Sequence, residues 1–86
     1  PVAVLEDDGA LDRWIAARVG TAVHLSGTAP MGPDSDPDAV VDQHLRVRGV
    51  TGLRVVDTSV LPWVPSRGTA ATAVMVGERA AELAGA

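Results

Sequence analysis

The chain has 86 residues and a formal charge of −4, with 11 acidic residues against 7 basic ones, and 47% of it is hydrophobic. That length admits one small domain or a piece of a larger one, and that apolar fraction excludes disorder by composition. All the basic residues are Arg and form no stripe, which gives no support to nucleic-acid binding, and no apolar run approaches the roughly 18 residues a membrane helix needs.

The apolar content is mostly Ala and Val, with no Phe, no Tyr and only 2 Trp. At about 25 cal/mol per Å² of buried apolar surface, so thin a core barely offsets the entropy of ordering the chain. There is no Cys to supply a disulfide. The expectation is a segment that packs against more protein. No charged-then-apolar leader opens it, and a start on Pro1 fits a processed, trimmed or internal beginning; the expected location is cytoplasmic.

Glu6-Asp7-Asp8 precede Leu11, Trp14, Ile15 and Arg18, which share one helical face. With Asp7 or Asp8 as cap and Gly20 as stop, a helix is predicted over residues 8–18. Thr21–Leu25 reads as a short strand delivering His24. Residues 26–38, rich in Gly and Pro, read as loop. Val40-Val41 offers a brief pairing. The alternation of Leu45-Arg46-Val47-Arg48 predicts a half-buried strand, Gly49–Gly52 a turn, and Leu53–Asp57 a second strand ending on an acid. Residues 58–66 are irregular because of Pro62 and Pro65. From Thr69, placed to cap it, a helix apolar nearly all round runs to about Leu83, as a helix buried in a larger body does.

His24 carries the chemistry. An imidazole titrates near neutrality, so it can take a proton from an alcohol; a structural histidine at a strand end is the plainer alternative. Asp57 can serve a site beyond a strand end or form a local turn bond, and both can hold together. Asp34, Asp36 and Asp38 alternate as calcium ligands do, but an EF-hand loop needs Gly and Glu where Ala39 and Leu45 stand. A solvated acidic loop and no metal site is the reading. Ser26 lacks the glycine elbow of a hydrolase nucleophile. His44 has no partner in sequence and reads as a surface residue. Trp63, between Pro62 and Pro65, lines an access path or, more simply, plugs its loop.

These pieces line up with a known pattern. His24, Gly27, Thr28, Met31 and Gly32; Val40-Val41-Asp42 with Leu45-Arg46-Val47-Arg48-Gly49-Val50; Gly52-Leu53-Arg54-Val55-Val56-Asp57-Thr58-Ser59-Val60-Leu61-Pro62; and Pro65-Ser66 followed by Met75–Ala81 stand in register over residues 11–84. Together they resemble the C-terminal active-site segment of the glucose–methanol–choline (GMC) family of flavoprotein oxidoreductases. The resemblance implies part of an α/β FAD/NAD(P)-binding-type domain, with short strands and a buried C-terminal helix. Residues 1–25 would form a substrate-side helix and strand, and residues 26–86 part of the flavin-binding domain. It implies FAD as cofactor, a small alcohol as substrate, and the N-terminal remainder of the same enzyme as partner. His24 would accept the hydroxyl proton while hydride passes to the flavin. Asp57 and Thr58 would lie beside the cofactor, and the backbone of Ala71 and Thr72, at the start of the last helix, would face the flavin's pyrimidine edge.

Two features depart from the family. The second His or Asn that pairs with the catalytic histidine falls on Ala70, or on Gly68 in a slipped register, which leaves Ser66, Arg67 or Thr69 to stand in or His24 to work alone. The glycine-rich dinucleotide turn is absent from these residues, so tight FAD binding by this segment alone is not expected. The Ser26–Met31 and Arg67–Thr72 stretches are similar to the branch associated with the mycofactocin redox system. The contrasting function is a non-catalytic interaction module that docks through its Ala/Val helix, or a fragment inactive alone.

Overall fold

The computed structural model describes residues 2–85, in the order 3₁₀ turn (Val2–Glu6), helix α1 (Asp8–Ala16), 3₁₀ turn (Thr58–Val60) and helix α2 (Ala70–Leu83). Among the described residues there is no strand; isolated bridges join Met31 to Val41, Val41 to Val47 and Arg46 to Arg54. The expected α/β character with short strands is therefore corrected to two helices and a bridged loop body.

α1 begins where its sequence says it should. Asp7 is extended, and its carboxylate accepts from the Gly9 N–H at 2.9 Å, satisfying one of the free donors of a first turn. The helix ends at Ala16 rather than Arg18, in a turn where the Arg18 guanidinium lies 4.7 Å from the centre of the Trp14 ring. No residue of α1 is buried. Of the other elements it packs only on the preceding 3₁₀ turn, and Trp14 and Ile15 stay 39% and 46% exposed.

The predicted strand at 21–25 is irregular instead. The Thr21 hydroxyl accepts from the Val23 N–H at 2.9 Å, and Val23 sits at φ 60°. A β-branched residue is strained in that region, and an extended run cannot pass through it. The predicted pair 45–48 and 53–57 does meet antiparallel: Val47 N–H donates to the Leu53 carbonyl at 2.9 Å and Val55 N–H to the Leu45 carbonyl at 3.1 Å. The turn between them has Gly49 at φ 76° and Gly52 at φ 82°. The ladder stops there because Leu45 itself adopts φ 65° and turns the chain out of line.

The core consists of Val41, Leu45, Val60, Leu61, Val76 and Ala80, with Met31, Val47 and Val55 packed against it. Val41 is its hinge, bridging Met31 on one side and Val47 on the other. The 58–60 turn is fastened to the loop after His24 by a ladder: Gly27, Ala29 and Met31 N–H groups donate to the carbonyls of Thr58, Ser59 and Val60 at 3.2, 2.9 and 2.9 Å. Val60, fully buried, then seats this turn beneath α2.

α2 runs 70–83 as the sequence indicates, yet it is not buried all round. Only Val76 and Ala80 are buried, while Val74 and Met75 are 67% and 55% exposed. Thr69 occupies the cap position, but its hydroxyl makes no cap bond. The molecule measures 58 × 28 × 16 Å with a radius of gyration of 18.6 Å, against about 12 Å for a compact domain of this length. The body is thin, with a small core and much apolar surface exposed.

The acidic loop has an organiser that the sequence reading overlooked. The Arg48 guanidinium reaches four main-chain carbonyls, those of Gly32, Pro33, Asp36 and Ala39. Gly32 is required there, since a Cβ would stand 2.8 Å from Asp36 Oδ2 and 2.9 Å from the Ala39 Cβ. Asp36 caps its own turn by accepting from the Asp38 N–H at 2.9 Å. The loop is thus pinned by a cation from outside its own run of acids.

Candidate functional site

His24 lies against the start of α2, although 45 residues separate the partners. Its Nδ1 accepts a hydrogen bond from the Thr69 backbone N–H at 3.0 Å. A Cβ on Gly68 would stand 2.9 Å from His24 Cε1 and 3.3 Å from Nδ1. The ring therefore lies flush on bare backbone at Gly68, a place no larger residue leaves open. The imidazole and the helix start are thus joined by a direct hydrogen bond.

The bond bears on which ring nitrogen holds a hydrogen. A neutral imidazole has one donor and one acceptor nitrogen. With Nδ1 accepting from Thr69, the hydrogen sits on Nε2, at the opposite edge of the ring. His24 is exposed, and beside it opens a cleft of about 380 Å³ lined by Thr21, Ala22, Leu25, Val64, Ser66, Arg67 and Gly68. Ser66 and Arg67, two of the possible stand-ins for the missing second side chain, share this cleft with His24. The third, Thr69, offers its main chain rather than its hydroxyl.

The Asp57–Thr58 corner is built from local bonds. Asp57 accepts from the Ser59 N–H at 2.8 Å and from the Ser59 hydroxyl. These bonds, the hydroxyl first, hold its carboxyl below the ordinary value of 3.8. The Thr58 hydroxyl donates to the Leu25 carbonyl at 2.9 Å. The corner is therefore tied to the residue next to His24, and both side chains are engaged within the chain.

The start of α2 has donors to spare. Its first bond is from Ala73 N–H to the Thr69 carbonyl at 2.8 Å, and no side chain caps it. The N–H groups of Ala70, Ala71 and Thr72 have no acceptor among the described residues. Ala70 and Ala71 are exposed and carry only methyl groups, so a flat acceptor edge can approach these donors closely. This chemistry fits the pyrimidine edge of a flavin.

The other candidates have plainer roles. Asp42 is partly desolvated, which works against ionisation, but N–H groups of Arg46 and His44 and the Arg46 guanidinium at 2.7 Å outweigh this and lower its pKa. His44 is exposed, and its carbonyl accepts from Arg54 Nε at 3.2 Å. Trp63 is 82% exposed at the rim of a cleft with Pro30, Met31 and Pro62, so it plugs nothing within this chain. No helix among the described residues is long and apolar enough to cross a membrane.

The comparisons agree on one family. The C-terminal sequence profile of the GMC oxidoreductases matches residues 2–77. The chain is 56% identical over 72 residues to a GMC-type oxidoreductase of Rhodococcus erythropolis, covering 84% of this chain and 15% of that protein. It is 49% identical over 76 residues to an oxygen-dependent choline dehydrogenase of Vibrio vulnificus, covering 88% and 14%. It is 46% identical over 79 residues to a 5-(hydroxymethyl)furfural oxidase of Methylovorus, covering 92% and 15%. The chain thus spans about 15% of the length of such relatives, and it belongs to the GMC oxidoreductase family, as a piece of that family's C-terminal region.

Proposed function

We propose that this chain forms one wall of the active site of an FAD-dependent alcohol oxidoreductase, with His24 engaging the substrate hydroxyl. The observation that carries the reading is the meeting of an exposed imidazole with the start of α2 through the 3.0 Å bond to Thr69. Relatives whose names specify choline or 5-(hydroxymethyl)furfural support an alcohol as substrate class. FAD, when bound, supplies the hydride acceptor. The main chain of Ala71 and Thr72 would hold its pyrimidine edge, with the Asp57–Thr58 corner alongside. The rest of the cofactor would be held by the N-terminal remainder of the enzyme, in an α/β flavin-binding domain that residues 26–86 complete, while residues 1–25 border the substrate.

Alcohol oxidation removes a proton from oxygen and a hydride from carbon. Nδ1 is occupied by Thr69, so Nε2 is the ring nitrogen left to meet a substrate oxygen. In the observed arrangement Nε2 carries the hydrogen and binds that oxygen as a donor. When the Thr69 bond opens and the hydrogen resides on Nδ1, Nε2 holds a free lone pair and accepts the hydroxyl proton. The spelling of the Ser26–Met31 and Arg67–Thr72 stretches supports the mycofactocin-associated branch, and a cytoplasmic location belongs to the same reading.

The test is His24→Ala in the full-length enzyme. Flavin reduction by substrate in stopped-flow should slow by roughly 10² or more, with FAD content unchanged. A normal reduction rate removes His24 from the reaction.

A further inference from the structure

The family's second catalytic side chain has no counterpart at Ala70, yet the ring of His24 is not left loose. Two contacts fix it, and both come from main chain. Thr69 donates its N–H to Nδ1 at 3.0 Å. Gly68 offers a surface on which a Cβ would lie 2.9 Å from Cε1, tighter than a carbon–carbon contact tolerates. Thr69 is itself 8% exposed, which holds this peptide in place. We propose that the Gly68–Thr69 backbone is the positioning element for His24: it sets the pose of the ring, in place of a partner side chain.

This inference rests on the reading of His24 as the group that meets the substrate hydroxyl, and it adds two positioning residues to it. The Gly68 contact and the Thr69 contact are tested by separate substitutions. Gly68→Ala puts a methyl group where the ring lies and pushes the imidazole off the backbone. Thr69→Pro removes the N–H and puts its own Cδ where that hydrogen points, so it too drives the ring off the backbone. The main chain accepts it, since Thr69 has φ −86° at the helix start. Thr69→Ser keeps the N–H and serves as the conservative rescue.

The experiment uses the full-length FAD-loaded enzyme, with flavin content and a crystal structure checked for each variant. Stopped-flow flavin reduction then separates the limiting rate from the apparent Kd for substrate. The expected result is a fall of about tenfold or more in the limiting rate for both Gly68→Ala and Thr69→Pro, with Kd changed less than threefold. Thr69→Ser returns the rate to within a fewfold of the parent. The structures show Nδ1 displaced from residue 69 in Gly68→Ala. Should Gly68→Ala fail to fold or to hold FAD, the proline and serine variants decide between them: equal rates in the two overturn the proposal. It is also overturned if Gly68→Ala or Thr69→Pro reduces flavin at the parent rate while His24→Ala is slow. That pattern leaves the role of His24 standing. A parent rate in His24→Ala instead removes the reading on which the inference rests.

Discussion

The side chain of His24 and the main chain of Thr69 are joined at 3.0 Å, which ties the imidazole to the start of α2. A second bond ties in the Asp57 corner, because the Thr58 hydroxyl donates to the carbonyl of Leu25, next to His24. A change at any of these points is therefore felt at the ring.

Substituting the ring by an amide separates its two chemical roles. His24→Gln keeps a hydrogen-bond donor and loses the capacity to take a proton. If donation from Nε2 dominates, the glutamine variant reduces flavin about tenfold faster than His24→Ala. If proton acceptance dominates, the two variants are equally slow. Single-turnover reduction rates in the full-length enzyme make the comparison.

The Asp57 corner gives the protein an acid-sensitive joint. Bonds from Ser59 lower the folded-state pKa of Asp57 below its ordinary 3.8. Their contribution is fully present above that ordinary value and is lost as pH falls through the lower folded-state value. Wild-type protein should therefore lose stability as pH falls below the ordinary carboxyl value of 3.8, and Asp57→Asn should lose less over the same interval. Thermal unfolding midpoints of the full-length enzyme and its Asp57→Asn variant across that range check this; parallel curves would refute it.

Removing the Arg48 cage should loosen the 32–39 loop without touching the His24 cleft. Arg48→Ala strips several carbonyls of their donor, which costs about 2 kcal/mol locally. Amide exchange over residues 32–41 should speed by about thirtyfold, with residues 69–76 unchanged, as read by mass spectrometry. Gly32→Ala should act in the same place by overpacking against Asp36 and Ala39, at about 1–3 kcal/mol.

The thinness of the body makes a prediction about autonomy. With Val74 and Met75 largely exposed and no residue of α1 buried, residues 1–86 expressed alone should show no cooperative melt by circular dichroism and no slow-exchanging core. A cooperative, FAD-free monomer would favour an independent interaction module instead.

Much of the local structure was legible in the sequence because local chemistry decides it. Asp7 before an amphipathic run gave the start of α1, Gly49 and Gly52 gave a turn, and small residues after Thr69 gave α2 to within a residue. The strands failed for a non-local reason. Alternation at 45–48 and 53–57 is what a sheet requires, but Leu45 at φ 65° and the lack of further partners leave only bridges. The all-round apolar character of α2 told of burial that this chain by itself does not provide. At the site, His24 stood out by its neighbours. Nothing in the spelling Arg67-Gly68-Thr69 shows that Gly68 receives a ring and that Thr69 donates its amide to it; that knowledge needs the contact across 45 residues. The role of Arg48 was hidden likewise, since its acceptors are carbonyls, which every residue has.

The two fastenings of the loop body answer acid differently. A guanidinium keeps its charge throughout the range in which carboxylates titrate, and the carbonyls around Arg48 have no proton to gain. The clasp on residues 32–39 thus survives acidification that dissolves the Asp57–Ser59 bonds. Souring the solution should therefore loosen the Asp57–Ser59 corner while the knot around Arg48 stays tied.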